Sequence, residues 1–491
     1  MHLEEMLPEA PADAMLAQMF GADVYAVGGR IRDAAIGYVH NRDVASHKDL
    51  DYVITGHTLE RVHDILTSAN VAVDTVGAAF SVLKVRIGNE VVDVSMARRE
   101  ISTGPGHRDF EVVSSPDVLI EEDLLRRDFT INALALNLSH RSIVAPDGAL
   151  EDVRTRTIRA IGRNTFEDDP LRLLRAAQFA SRLGFEIEAE TFRQMQEKAQ
   201  LVRYCSAERV RDEIIKLIEK SDRPSIGFEI LRDTGLLAHI VPELLGAVGL
   251  VQNRHHDFDV WDHVMAALDH SAEAGHDLVT RLAVLMHDIG KPATAAPRSD
   301  GEGNTFHGHH RVGAEMTQEI MRRLRFPEKT TEDVVRAVRH HMYDTREVGG
   351  GDLPDAALRR FIRRVGVENV QRQFDVRYAD ALGHGPSNND MTNNRLFQER
   401  VKGIIEQNPV VSAQNLQIRG NDVIVILIKE GVVPPNYKGD RMVGLIIGKL
   451  LDQVVEDPSL NERETLAARC AEITRELANQ EEERAVVTLS F

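Results

Sequence analysis

Lys48-Asp49-Leu50-Asp51-Tyr52-Val53-Ile54 joins two carboxylates, one residue apart, to an apolar run suited to a β-strand. Side chains alternate along a strand, so Asp49 and Asp51 fall on one pleat face and can share a divalent cation. Mg²⁺ is held by one or two carboxylates together with substrate phosphates, and metal-assisted in-line displacement needs ligands fixed this rigidly. The stretch therefore predicts a small sheet built for phosphate chemistry. An isolated Asp-x-Asp is a weak signal, because solvated strand and turn carboxylates are common. Its neighbours decide the reading.

Upstream stands Tyr25-Ala26-Val27-Gly28-Gly29-Arg30-Ile31-Arg32-Asp33, an apolar strand that turns through two glycines into a helix. Glycines at such a turn let backbone N–H groups approach a triphosphate, and Arg32 adds charge one turn on. A bare strand-to-helix turn would need the same glycines, and only the carboxylates on the following strand favour a ligand. Downstream, Asp123-Leu124-Leu125-Arg126-Arg127-Asp128-Phe129-Thr130-Ile131-Asn132-Ala133 sets two arginines against an apolar segment. They can grip phosphate or ribose, with Asp128 orienting one of them. Asp93, in Val91-Val92-Asp93-Val94-Ser95, is either a third acidic group or a solvated strand residue.

At 491 residues the chain exceeds one core, and its 43% hydrophobic and 28% charged residues are those of an ordinary globular protein of two to four domains. Met1-His2-Leu3-Glu4-Glu5-Met6 lacks the layout of a secretory signal, and no apolar run reaches membrane-span length. Cys205 and Cys470 provide neither a disulfide framework nor a cysteine zinc site, so a cytoplasmic protein without membrane contact is expected. A net charge of −18 excludes indiscriminate nucleic-acid binding and confines any such surface to a local patch. The Arg-rich stretch from Arg154 to Arg211 is that patch, unless its arginines are spent in surface ion pairs.

Strand-like runs (Val24 to Val27, Tyr52 to Ile54, Val82 to Ile87, Val91 to Val94) alternate with helix candidates to about Pro146. The strand signal then vanishes, and helical spacing dominates Pro170 to Leu183, with Gly184 at its end, and Ala207 to Glu219. The pattern predicts an α+β protein with divisions at 1–149, 150–249, 250–385 and 386–491. The third division carries most of the histidines. His263, the pair His287-Asp288, His309, His341 and Asp380 suit one or two transition metals with open positions for water, and His340 competes with His341 as a ligand.

Taken together, Gly28-Gly29-x-x-Arg32-Asp33, Asp49-x-Asp51, Arg126-Arg127-Asp128-Phe129-Thr130-Ile131-Asn132-Ala133 and Asp169-Pro170-Leu171-Arg172-Leu173-Leu174-Arg175-Ala176-Ala177 resemble the class II CCA tRNA nucleotidyltransferases and bacterial poly(A) polymerases, within the polymerase β-like superfamily. His287-Asp288-Ile289-Gly290-Lys291, with the His before it and His309 to Ala314 after it, resembles the HD phosphohydrolase domain. The resemblance implies a mixed-sheet head, then helical neck, HD and tail domains. It implies Mg²⁺ on Asp49 and Asp51, contacts to the nucleotide from Gly29, Arg32, Arg127, Asp169, Arg172 and Arg175, and an unidentified divalent metal on the HD residues. The implied partners are tRNA, CTP and ATP, and the implied reaction is template-free addition of C, C and A. The HD domain implies a phosphodiesterase or phosphatase for 2′,3′-cyclic or terminal phosphates. Poly(A) synthesis, CC-only or A-only addition, and an HD hydrolase with an inactive RNA-binding head are the alternatives.

Asp169 and Arg172, three residues apart, are expected on one helix face as a paired acceptor and donor. Cytosine and adenine both show an amino donor beside a ring-nitrogen acceptor, whereas uracil and guanine present the reverse, so the pair would select C and A together. Two positions depart from the family pattern: Asp168 where Glu is usual, and Gln178 where Arg is common.

Overall fold

Val24–Val27 (β1) and Asp51–Ile54 (β2) pair antiparallel inside a seven-stranded mixed sheet in the computed structural model. The structure describes residues 9–41, 50–74, 82–102, 110–252, 258–301, 303–343, 353–385, 391–407 and 411–489, the side chains of 100–102, 110–113 and 479–489 excepted. The remaining strands are β3 (Ala72–Asp74), β4 (Val82–Ile87), β5 (Glu90–Met96), β8 (Ala135–Asn137) and β9 (Ile143–Val144), in the order β3-β4-β5-β2-β1-β8-β9, while β6 (Arg98–Ser102) and β7 (Phe110–Ser114) form a separate hairpin. Along β4 the period of two turns Leu83, Val85 and Ile87 inward and Lys84 and Arg86 outward. Beyond Asp51, β2 is buried on both faces, so the carboxylate stands where the strand emerges from the core.

Register places Asp51 beside Val27 on β1 and beside Asp93 on the parallel neighbour β5. Gly28 follows β1 with φ +81°, and a Cβ there would lie 2.6 Å from Asp51 Oδ2, so both backbone conformation and space require glycine. The chain then enters α2 (Gly29–His40). Helix α1 (Pro11–Phe20) supplies Asp13, whose buried carboxylate accepts from Arg30 Nη2 at 2.7 and 3.0 Å and from Tyr52 Oη at 2.6 Å. This triad fixes the residue after Asp51 and the residue after Gly29 from the same side. Asp13→Ala would leave the Arg30 guanidinium buried without its anion, and we expect about 3–5 kcal/mol of lost stability. Tyr52→Phe should cost only about 1 kcal/mol. Urea unfolding of the full chain measures both, and equal losses would refute this ranking.

Helices α3 (Leu59–Ser68), α4 (Ile120–Leu125) and α5 (Ala149–Thr155) complete the head, and α6 (Thr165–Asp168), α7 (Arg172–Leu183), α8 (Ala189–Lys198), α9 (Ala207–Lys220), α10 (Pro224–Asp233) and α11 (Leu237–Ile240) follow. The strand signal does not vanish here altogether: two-residue strands β10 (Thr157–Ile158) and β11 (Glu186–Ile187) pair in parallel, too short to register as periodicity. Helix α7 begins at Arg172 rather than Pro170, and Gly184 ends it in the left-handed conformation at φ +66°.

Two units make up the chain: Met1–Leu250 with Ala272–Leu278 and Glu319–Glu328, and Val251–Ser271 with Val279–Gln318 and Lys329–Phe491. The second contains most of α12 (Val260–Glu273), α13 (Leu278–Met286), α15 (His309–Arg323) and α16 (Glu328–His340), and all of α14 (Lys291–Thr294), α17 (Asp355–Val365), α18 (Val370–Gly383), α19 (Thr392–Glu406), α20 (Gly420–Lys429), α21 (Arg441–Glu456) and α22 (Arg463–Leu489). A small hairpin of Ala296–Pro297 with Asn304–Thr305 interrupts the helices. One core gathers Phe361, Phe374 and Phe397 from α17, α18 and α19, and another gathers Leu427, Ile446, Leu450 and Cys470 from α20, α21 and α22. Among the described residues, no helix is long and apolar enough to cross a membrane.

Candidate active sites: a nucleotide cleft and a histidine-aspartate centre

A cleft of about 390 Å³ collects Gly28, Gly29, Arg32, Asp51, Arg127, Asp169, Arg172 and Arg175 around one space. Asp49 lies outside the described residues. Asp93 stands beside the cleft in register with Asp51, where Lys84 Nζ neutralises it at 2.8 Å on a half-exposed surface.

Arg32 is 4% exposed. Its Nη1 donates to Asn132 Oδ1 at 3.0 Å, and its Nε donates to Asp33 Oδ1 at 2.6 Å. The Phe179 ring lies 5.1 Å from the Arg32 guanidinium and 5.2 Å from that of Arg175, so one aromatic side chain seats two cations. Arg175 in turn donates to Asp128 Oδ2 at 2.8 Å through Nε, and Asn132 Nδ2 donates to Asp128 Oδ1 at 3.0 Å. Burial pushes the Asp128 carboxyl upward, but the charge of Arg175 and the hydrogen bond from Asn132 outweigh it and hold the group below its ordinary range. Asp123, also buried, is held low by Arg126 and Arg127 against the same desolvation. The carboxylates thereby aim the cations, which suits a polyanionic ligand.

Asp169 does not share a helix face with Arg172. It precedes Pro170, and the ring of a proline bars the preceding residue from helical backbone; Asp169 is extended at φ −144°, ψ 101°. Its Oδ1 accepts from Leu171 N at 3.2 Å and its Oδ2 from Arg209 Nη2 at 2.9 Å. Arg172 turns away to donate to Thr165 O at 3.3 Å and Arg126 O at 2.6 Å. The two residues line the same cleft, joined locally by the Arg172 N–H donating to Asp169 O at 3.0 Å, with their side chains on different partners. Arg126, one of the two arginines expected to grip phosphate or ribose, also lines the cleft, whereas Asn132, Phe179 and Arg209 were not singled out by sequence reasoning. Phe179 had a signal, four residues after Arg175 on the face that carries Arg172. The Arg-rich stretch is largely paired: Arg154 with Glu151, Arg159 with Asp152, Arg193 with Glu190 and Arg211 with Asp212.

The second unit brings His263, His287, Asp288, His309, His341 and Asp380 together, all buried. Two close approaches of backbone make this assembly possible. A Cβ on Gly290 would lie 2.2 Å from His309 O and 2.6 Å from Gly313 N, and one on Gly383 would lie 2.8 Å from His263 O. Glycine at these points lets α15 approach the His287-Asp288 turn and α18 approach α12 beside His263, each carrying its ligands.

Asp288 Oδ2 lies 3.2 Å from His263 Nε2 and from His287 Nε2, while Oδ1 lies 3.3 Å from His309 Nε2. His309 and His341 face each other through Nε2 at 3.1 Å, and Asp380 Oδ1 lies 3.3 Å from His263 Nε2. The opposite ring nitrogens of His287, His309 and His341 donate to Val284 O, Phe306 O and Val338 O at 2.7, 2.8 and 2.7 Å. In the neutral ring that pattern leaves the Nε2 lone pairs pointing inward, the arrangement of metal-ligating histidine, so a bound cation would replace any proton held at Nε2. Asp288 Oδ2 has no hydrogen bond of normal geometry, although Lys291 Nζ lies 2.6 Å away. The donor set therefore fits one or two divalent cations, with Asp288 common to two ligand groups.

Although burial disfavours charge on His287, Asp288 and Asp380 raise its pKa to about 10, while burial beside His287 and His309 drives His341 well below the usual range. The site thus concentrates negative potential at one point and keeps another imidazole neutral. His340 is outside the cluster, and burial with Arg364 and Arg339 pushes it down to about 4. His384 was missed: its Nε2 lies 3.4 Å from Asp380 Oδ1, four residues along the chain.

The family model for the poly A polymerase head domain matches residues 24–159, that for the probable RNA and SrmB-binding site of polymerase A matches 184–247, and the HD domain matches 260–383. An A-adding tRNA nucleotidyltransferase of Deinococcus radiodurans is 34% identical over 347 residues, 68% of this chain and 76% of the relative. A multifunctional CCA protein of Methylobacillus flagellatus is 34% identical over 350 residues, 69% of this chain and 78% of the relative. The crystal structure of Bacillus stearothermophilus CCA-adding enzyme in complex with CTP shares the fold at a TM-score of 0.62 and 21% identity, covering 98% of this chain and 100% of the other. Thermotoga maritima CCA-adding enzyme complexed with tRNA-CCA gives 0.56 at 18% identity, covering 96% and 98%. The chain belongs to the family of CCA tRNA nucleotidyltransferases and bacterial poly(A) polymerases, with an HD domain following its RNA-binding segment.

Proposed function

We propose that this protein is a CCA-adding tRNA nucleotidyltransferase that transfers C, C and A from CTP and ATP to the tRNA 3′ end in the cytoplasm, and that its HD domain hydrolyses 2′,3′-cyclic or terminal phosphates. The observation that carries the first part is the single cleft uniting Asp51 and the Gly28-Gly29 turn with Asp169, Arg172 and Arg175. Phosphoryl-transfer groups and base-reading groups then face one nucleotide, with no place required for a template strand. Asp49 and Asp51 would hold Mg²⁺, which when bound would stabilise charge developing on the α-phosphate and the departing pyrophosphate. Arg32, Arg127 and Arg175 neutralise the triphosphate. Asp169 accepts from the amino group and Arg172 donates to the ring nitrogen, a requirement that C and A meet and that U and G fail.

On this reading residues 1–149 form the nucleotidyltransferase head, 150–249 the base-selecting and RNA-binding neck, 250–385 the HD domain and 386–491 the tail. The relatives named multifunctional CCA proteins support assigning two chemistries to one chain. The Deinococcus relative, named A-adding, supports A-only addition as the second reading. Purified protein given tRNA ending before the CC or after it, with CTP, ATP or both, separates them. Addition that stops after C-C-A is expected. Extension only of the CC-ended substrate would replace the proposal with A-only addition, and unlimited A addition to any RNA would replace it with poly(A) synthesis.

A further inference from the structure

The histidine-aspartate centre opens into a cavity of about 490 Å³, whose walls beyond the ligands include Lys291, Phe306, Met342 and Arg377. Lys291 is committed within the protein: it donates to Gln252 Oε1 at 2.6 Å, pairs with Asp288 and rests against the Phe306 ring. Arg377 differs. One turn before Asp380 on α18, its Nη1 donates to Asp380 Oδ2 at 2.8 Å, its Nε is buried without a hydrogen-bond partner, and its side chain is 20% exposed. A guanidinium has five donors in a rigid fork, and orienting one carboxylate oxygen engages one of them.

Charge points the same way. Asp288 and Asp380 are balanced by Lys291 and Arg377, so every divalent cation bound adds two positive charges that these side chains do not offset. The loaded cavity attracts anions, and its volume lies in the range of small-molecule pockets, suited to one nucleotide end and too small for a duplex. We propose that Arg377 binds the phosphate of the HD substrate, its guanidinium fork gripping the non-bridging oxygens of a terminal or 2′,3′-cyclic phosphate on a single unpaired 3′ nucleotide. The inference rests on the phosphohydrolase reading of this pocket.

The test uses the full chain loaded with Mn²⁺, comparing wild type, Arg377→Gln and Arg377→Lys. Metal content is read by mass spectrometry, binding of inorganic phosphate by calorimetry, and KM by hydrolysis of 2′,3′-cyclic AMP. Arg377→Gln should weaken phosphate binding and raise KM about tenfold or more with metal content unchanged, and Arg377→Lys should recover part of the loss. If both variants lose metal, Arg377 only orients Asp380 and the inference fails. It fails equally if KM and phosphate affinity do not move. Wild type that binds phosphate at this site without hydrolysing the cyclic nucleotide would overturn the phosphohydrolase reading and leave the anion site standing, whereas wild type that does neither overturns both.

Discussion

Asp51→Asn will lower nucleotide incorporation by about a thousandfold or more, with tRNA affinity and HD hydrolysis near wild-type values. Asparagine preserves shape and volume beside Gly28, so the β1–β2 register and the Asp13–Arg30–Tyr52 triad keep the residue in place. What changes is charge. A neutral amide cannot compensate a divalent cation, and the cleft retains Arg32, Arg126, Arg127, Arg172, Arg175 and Arg209 to hold a triphosphate electrostatically. Nucleotide binding should therefore fall far less than the rate of transfer. Single-turnover incorporation of labelled ATP into CC-ended tRNA reads the rate, and filter binding reads tRNA affinity. An Asp51→Asn enzyme within tenfold of wild type would show that phosphoryl transfer does not depend on this carboxylate.

Much of this architecture was legible because its signals are local. Gly28-Gly29 followed by Asp51 on an apolar run dictates a strand-turn-helix beside a strand, and the register bears it out. The Asp169–Arg172 geometry was misread although the sequence held the correction: a residue before proline is pushed out of helical backbone, and Pro170 does this to Asp169. Phe179 as a seat for two cations depends on α2 and α7 meeting, a long-range fact that spacing within α7 cannot supply. His384 was invisible for another reason. An Asp and a His four apart are common on solvated helices, and only the packing of α18 against α12 through Gly383 turns this pair toward His263. The triad behind β2 joins residues 13, 30 and 52, whose partnership no periodicity announces.

Asp288→Asn should empty the HD centre and abolish its hydrolysis while CCA addition continues unchanged. Asp288 belongs to two ligand groups, one with His263 and His287 and the other with His309 and His341. Its loss breaks both at once and leaves only His263, Asp380 and His384 as a complete group. Substitution also inverts the electrostatics. With Asp288 neutral, Lys291 and Arg377 face Asp380 alone, and the pocket repels the cation it is shaped to hold. Loss of outer partners of metal ligands costs about 10- to 100-fold in affinity, so removing a shared carboxylate should cost more than about a hundredfold. His340→Ala is the control, because His340 lies outside the cluster and its loss should leave metal content and hydrolysis intact. Metal content by mass spectrometry and hydrolysis of 2′,3′-cyclic AMP, measured beside CCA addition on the same preparations, decide the matter. Retention of both metal and hydrolysis by Asp288→Asn would remove this carboxylate from the centre. A parallel fall in nucleotide addition would mean that the two chemistries are coupled rather than separately housed.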